Sequence, residues 1–233
     1  MSDAMTTTRP ETRLVWDLPL RVTHWALVLA VTCSFATHYA GIEWFAWHRR
    51  CGYMVLMLAV FRVIWGIVGT QHAQFANFVR GPGAVLQYVR GHVVRPVGHN
   101  PLGALSVLAM LTLLLLQAGT GLFANDEITS TGPFYGWIAP QLSNRITTLH
   151  RNSSDVLLVL VAMHVAAIAW YVRVRREKLV PPMFTGRKPA AEVPDGEAID
   201  RSRSLLAVAI VVVLATALAL AVRAAPEATI ALY

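Results

Sequence analysis

Apolar residues along this chain gather into five long runs, separated by loops that hold most of the charge. Crossing a hydrocarbon core of ~30 Å as a helix takes ~20 mostly apolar residues. The runs at residues 20–40, 48–69, 102–123, 147–172 and 205–222 come close to that length. They predict an all-α, polytopic membrane protein, with a four-helix bundle over residues 20–175 and a fifth, C-terminal transmembrane helix over 205–223. The remaining segments are an N-terminal stretch at 1–19, a linker at 176–204 and a tail at 224–233. Within the linker, PPMFTGRKPAAEVPDGEAIDRSR (181–203) combines prolines, glycines and mixed charges and predicts irregular chain. Between the second and third runs, FANFVRGPGAVLQYVRGHVVRP mixes aromatics with arginines and predicts short amphipathic helices along the membrane surface. ANDEITSTGPFYGWIAPQLSNRI, between the third and fourth, is the largest loop on the opposite side.

Composition agrees with a bilayer protein. Of 233 residues, 55% are hydrophobic and 14% charged, with a mean hydropathy of +0.51, which excludes an ordinary soluble domain. Charge then orients the helices. With a cytoplasmic N-terminus, fourteen Lys and Arg, including Arg9 and Arg95, fall on the cytoplasmic side and five on the other. The positive-inside bias therefore predicts N-in and C-out in a bacterial inner membrane. The net charge of +7 is read as topology and contact with anionic membrane lipid, with no nucleic-acid partner. Residues 1–19 lack the small-residue cleavage site of a signal peptide. Cys33 and Cys51 lie at different depths and are read as unpaired packing residues.

Histidines inside the apolar runs change the picture. In LHRNSSDVLLVLVAMHVAAIAW (149–170), His150 and His164 are fourteen residues apart. That spacing separates them by roughly 21 Å along a helix and brings them within about 40° of the same face. His24, in RVTHW, enters the first run at the depth of His164, and His48, in WHRRCGYMVL, opens the second at the depth of His150. Four histidines from three helices thus form two facing pairs, one near each membrane surface, a pattern suited to axial ligation of two haem irons. Gly52, and Ala162, Ala166 and Ala167, leave room for a planar macrocycle. Arg62 lies fourteen residues after His48, so this intramembrane cation falls at the inner level, where a haem propionate or a quinone is a candidate partner. His38 competes with His48 for the outer level. His72, His92 and His99 fall in or beside a loop and are expected to be solvated.

The motifs RVTHW, WHRRCGYMVLMLAVFRVIWG, GHNPLGAL, GLFANDEI, LHRNSSDVLLVLVAMHVAA and LVPPMFTGRK occur in this order over residues 13–190. They resemble the bacterial cytochrome b561 family and are similar in layout to the b-type cytochrome subunits of nickel-iron hydrogenases. The resemblance implies a four-helix core with two haem b groups, carrying electrons between the quinone pool, ubiquinone or menaquinone, and a redox partner. It places the ligands on His24 with His164 and on His48 with His150, and leaves His38 out. The fifth run is a departure from the simplest members and is expected to pack on the bundle or anchor a partner.

The function expected on these grounds is transmembrane electron transfer to or from a periplasmic c-type cytochrome. The alternative is the membrane-anchor subunit of a hydrogenase-like dehydrogenase, and a homodimer is compatible with either. Quinol oxidation needs a proton acceptor beside a haem; Asp126 and Glu127 at one end, and His99 and Asn100 at the other, are the candidates, with helix capping as the competing role. A transition-metal transporter is the alternative from another class, disfavoured because ligands at two levels ~21 Å apart do not make one compact site.

Overall fold

The computed structural model of the chain describes residues 11–92, 96–126 and 130–226; Arg9, Arg95, Glu127 and most of the C-terminal tail lie outside them. Among the described residues, five helices are long and apolar enough to cross a membrane: α1 (Leu18–Ala40), α2 (Phe45–Val68), α5 (Pro101–Gly121), α6 (Pro140–Arg173) and α8 (Ser204–Arg223). Two short helices, α3 (Phe75–Phe78) and α4 (Pro82–Val89), fall where the amphipathic loop was expected, and α7 (Val180–Thr185) follows α6.

Local chemistry sets the ends. Asp17 caps α1 by accepting from the Leu20 amide at 2.7 Å, and Asn100 caps α5 by accepting from the Gly103 amide at 2.7 Å. Pro101 and Pro140 stand at the starts of α5 and α6, where a missing N–H costs nothing. α6 begins seven residues ahead of the predicted run. Its polar first turns are pinned to the preceding loop: the Ser143 hydroxyl donates to the Phe123 carbonyl at 2.7 Å, and Thr147 accepts from the Asn125 amide at 3.0 Å.

Along the bundle, α1 packs on α2, α2 on α5 and α5 on α6, while α8 lies against α2 and α1. The middle of the bundle is held by small and aliphatic contacts among Ala30, Val55, Ala59, Leu111, Leu114, Ala118 and Leu157. α6 packs chiefly on α5 and reaches α1 and α2 through Leu157.

One end of the bundle carries a folded lobe. Here the prediction of irregular chain fails: β1 (Thr12–Leu14) and β2 (Arg187–Pro189) pair antiparallel, with Arg13 opposite Lys188. The Gly186 carbonyl accepts from the Val15 and Trp16 amides at 2.8 and 3.0 Å. Gly186 adopts φ +79°, and a Cβ there would sit 2.6 Å from the Trp16 carbonyl oxygen, so the turn requires glycine. Val193, 1% exposed, packs with Val15, Trp16, Phe61, Trp65 and Val97. Its burial explains why a segment rich in proline and charge folds. The apolar residues are few, but they meet the ends of α1 and α2.

Asp17 is the hinge pin of this end. It is 0% exposed, and its carboxylate accepts from the Leu20 amide, the Trp65 indole at 3.2 Å and the Thr70 hydroxyl. Asp17→Ala strips three buried donors of their acceptor. It is expected to cost about 3–5 kcal/mol and to lower the thermal midpoint of the detergent-solubilised protein. Asp17→Asn, which keeps one acceptor oxygen, is expected to lower it less.

Candidate functional site

At the end of the bundle away from the lobe, α1, α2, α5 and α6 enclose a cavity of about 600 Å³, lined by His38, His48, Gly52, Gly121, His150 and Asp155 among others. His48 and His150 meet across it. Their ring centroids are 6.3 Å apart and the rings are perpendicular, at 89°. Each ring is anchored by the neighbouring helix. His48 Nδ1 lies 2.9 Å from the Ser34 carbonyl on α1, and His150 Nδ1 lies 3.0 Å from the Gln117 carbonyl on α5. A carbonyl can only accept, so both Nδ1 atoms carry the proton, and both Nε2 atoms keep their lone pair.

Gln117 holds His150 twice. Besides its carbonyl, its side-chain amide donates to His150 Nε2 at 3.2 Å and its side-chain oxygen accepts from the Ser153 hydroxyl at 2.6 Å. Glycine makes the space: a Cβ on Gly121 would press to 3.1 Å from the His150 ring, and Gly52 borders open volume. His38 stands 5.8 Å from His48, ring to ring, and lines the same cavity.

At the lobe end, His24 is half-buried, with its Nδ1 buried and without a hydrogen-bond partner. It lies within electrostatic range of His164. The two sit on α1 and α6. Ala162, Ala166 and Ala167 around His164 are exposed. Arg62 is 6% exposed; its Nη1 and Nη2 are buried without a partner, and its Cζ rests 5.0 Å over the Phe75 ring. Among the described residues no carboxylate comes within 4 Å of it.

Two loop histidines are not solvated. His72 is 8% exposed, and its Nε2–H donates to the Glu197 carbonyl at 2.7 Å. His99 stacks edge-on against Trp16 and tilts on Phe78, at 4.8 and 4.6 Å between centroids. Burial first, then the neighbouring basic groups Arg62, His72, Lys188 and His24, push His99 down to about 3. The expectation failed because the loop after α2 folds back beneath the N-terminal segment, which a linear reading treats as free chain. His92 is exposed, as expected.

Of the candidate proton acceptors, Asn100 is committed to its helix cap, and Asp126 accepts from the Ser130 amide at 2.8 Å in a turn. Glu127 lies outside the described residues. Sequence reasoning missed Gln117, although a lone amide after LTLLLL is a visible anomaly. It also passed over Asp155, a carboxylate within the fourth span, five residues after His150, that lines the far cavity.

Comparison with known proteins places the chain in a family. The family model for prokaryotic cytochrome b561 matches residues 15–186. Among curated proteins, the chain is 27% identical to a probable Ni/Fe-hydrogenase B-type cytochrome subunit of Rhizobium leguminosarum bv. viciae, with 75% of this chain and 87% of that protein covered. It is 26% identical to the protein of the same description in Azotobacter chroococcum mcd 1, covering 74% and 86%, and 24% identical to that of Rhodobacter capsulatus, covering 75% and 80%. No solved structure matches. With the family model spanning most of its length and its paired histidines set between membrane-spanning helices, the chain belongs to the prokaryotic cytochrome b561 family, the b-type haem cytochromes that carry electrons in membranes.

Proposed function

We propose that the protein holds two haem b groups, one between His48 and His150 and one between His24 and His164, and passes electrons across the membrane between the quinone pool and a redox partner. The observation that carries this is the far-end pair. Metal–imidazole bonds of about 2 Å set two axial rings about 6 Å apart, centroid to centroid, and the His48 and His150 rings stand at 6.3 Å. Their Nδ1 protons rest on backbone carbonyls, the usual way in which a ligating histidine is oriented and its basicity raised. Ligation through His150 Nε2 displaces the Gln117 amide from that nitrogen.

When bound, a bis-histidine haem supplies reversible one-electron chemistry at an iron with no open coordination position. The chain's own residues do the rest. Ser34 and Gln117 fix ring orientation, Gly52 and Gly121 leave room, and Arg62 offers two unpaired donors to a propionate at the lobe-end site. Levels roughly 21 Å apart along α6 divide the crossing into shorter hops. The lobe end is taken as cytoplasmic, in an inner membrane, because most of the Lys and Arg gather there.

Ubiquinone or menaquinone is the proposed substrate, and a periplasmic c-type cytochrome the proposed partner of the far-end haem. A second reading makes the partner a dehydrogenase subunit, and the shared description of the curated relatives as hydrogenase B-type cytochrome subunits favours it. Affinity purification from membranes separates the two: a co-purifying dehydrogenase supports the second, a c-type cytochrome the first.

The core test is a reduced-minus-oxidised spectrum of the purified protein with pyridine haemochrome quantitation. Two low-spin b-type haems per chain are expected, and a folded, haem-supplied protein without haem would discard the proposal. His164→Ala is expected to lose the lobe-end haem alone, halving haem content; retention of both would break the pairing. His150→Ala is expected to lose the far-end haem, whereas His38→Ala should keep both. If His38→Ala emptied that site instead, His38 rather than His48 would be the ligand.

A further inference from the structure

Buried nitrogens without acceptors collect at the lobe end of the bundle. Arg62 Nη1 and Nη2, His24 Nδ1, His99 Nδ1 and Arg21 Nε are all buried without a hydrogen-bond partner. Buried donors are nearly always paired in native proteins, so five orphans in one region are exceptional. They come from three places in the chain: Arg21 and His24 from α1, Arg62 from α2, and His99 from the turn that leads into α5.

Among the described residues none accepts a hydrogen bond from these nitrogens. Asp17 is the carboxylate whose charge reaches Arg62, and its oxygens are already taken by the Leu20 amide, the Trp65 indole and the Thr70 hydroxyl. The groups around His99 are otherwise cationic or basic: Arg62, His72, Lys188 and His24. Lys188 is turned to the Val97 carbonyl, to which it donates at 2.8 Å. The buried lobe end is thus positive and rich in donors, and what satisfies it is an anion with several acceptor oxygens.

We infer that His99 donates through Nδ1–H to the same carboxylate that Arg62 binds, a propionate of the haem placed between His24 and His164, and that this bond is what seats that haem against the lobe. The inference rests on the haem reading above. Arg62 supplies the charge, and His99 supplies direction, because its ring is wedged between Trp16 and Phe78 and cannot turn freely. A donor on the propionate draws off negative charge near the iron and so favours the reduced haem. His99 is thus a positioning residue, which sets the potential of one haem without touching its iron.

The test uses full-length, detergent-purified protein with His99→Leu, His99→Asn and, as a surface control, His92→Leu. Potentiometric titration follows both haems, and the propionate bending mode is read by resonance Raman. The haem missing from His164→Ala identifies the lobe-end signal. His99→Leu is expected to shift that haem's equilibrium about tenfold toward the oxidised form, ~59 mV for one electron, and to move the propionate mode. His99→Asn, which keeps a donor near the place of Nδ1, should recover most of the shift, while the other haem, reporting an intact fold, stays put. An unchanged lobe-end potential and propionate mode in His99→Leu would overturn the inference, as would a shift shared by both haems or one that His99→Asn does not reverse. If the His99-dependent shift appeared only in vesicles containing anionic phospholipid and vanished in zwitterionic ones, the acceptor would be a lipid phosphate and the propionate assignment would fall. A haem count unaltered by His164→Ala would instead remove the haem pairing beneath it, a failure seen in stoichiometry rather than in potential.

Discussion

A hydrogen-bonding group buried in a membrane bundle finds no water to bond to, so its partner has to come from the protein or from something the protein binds. The polar interior of this chain is organised by that requirement. Where the partner is supplied internally, as at Asp17, the result is a structural lock: one carboxylate ties the cap of α1 to Trp65 near the end of α2 and to Thr70 just beyond it. Where a histidine needs orientation, a backbone carbonyl on the adjacent helix supplies it, as Ser34 does for His48 and Gln117 for His150.

The two ends of the bundle solve the problem differently. At the far end the histidines are tethered, and small residues hold the space open around them. At the lobe end His24 Nδ1, His99 Nδ1 and the Arg62 Nη atoms stay unpaired, with aromatic rings against His99 and Arg62. A site of the first kind presents two neutral ligand nitrogens, whereas one of the second presents positive charge and donors. On the proposed function, both ends serve one kind of cofactor, a macrocycle with a metal at its centre and carboxylates at its edge, met from its two chemically distinct parts.

The lobe earns its place through the same contacts. Residues 187–193 reach across the start of the chain and bury Val193 over Val15 and Trp16, and Trp16 in turn confines His99. Arg21 donates to the Phe184 carbonyl, and Trp25 stacks on Phe184 at 4.4 Å. The first helix, the helix after α6 and the loop before α5 are thereby joined around the lobe-end site. α8 adds to this end through Ala207, and Arg203 at its start donates to the Val68 carbonyl at 3.1 Å.

The five apolar runs by themselves determined the number of membrane helices and, through a spacing of fourteen residues, that His150 and His164 share a face, because helical period and rise are properties of the local backbone. They also placed Arg62 at depth, since position in a span follows from counting. The tertiary structure alone decided which loop histidines are buried. His72 and His99 carry no periodic signal, and their surroundings come from Trp16 and Glu197, far away in the chain. It alone made a folded lobe of a stretch that reads as linker, because strand pairing between residues 12–14 and 187–189 is a long-range event that composition does not encode. And it alone showed that the imidazole protons of His48 and His150 rest on the carbonyls of Ser34 and Gln117: a backbone acceptor has no identity in the sequence, and which one a side chain meets depends on how two helices pack.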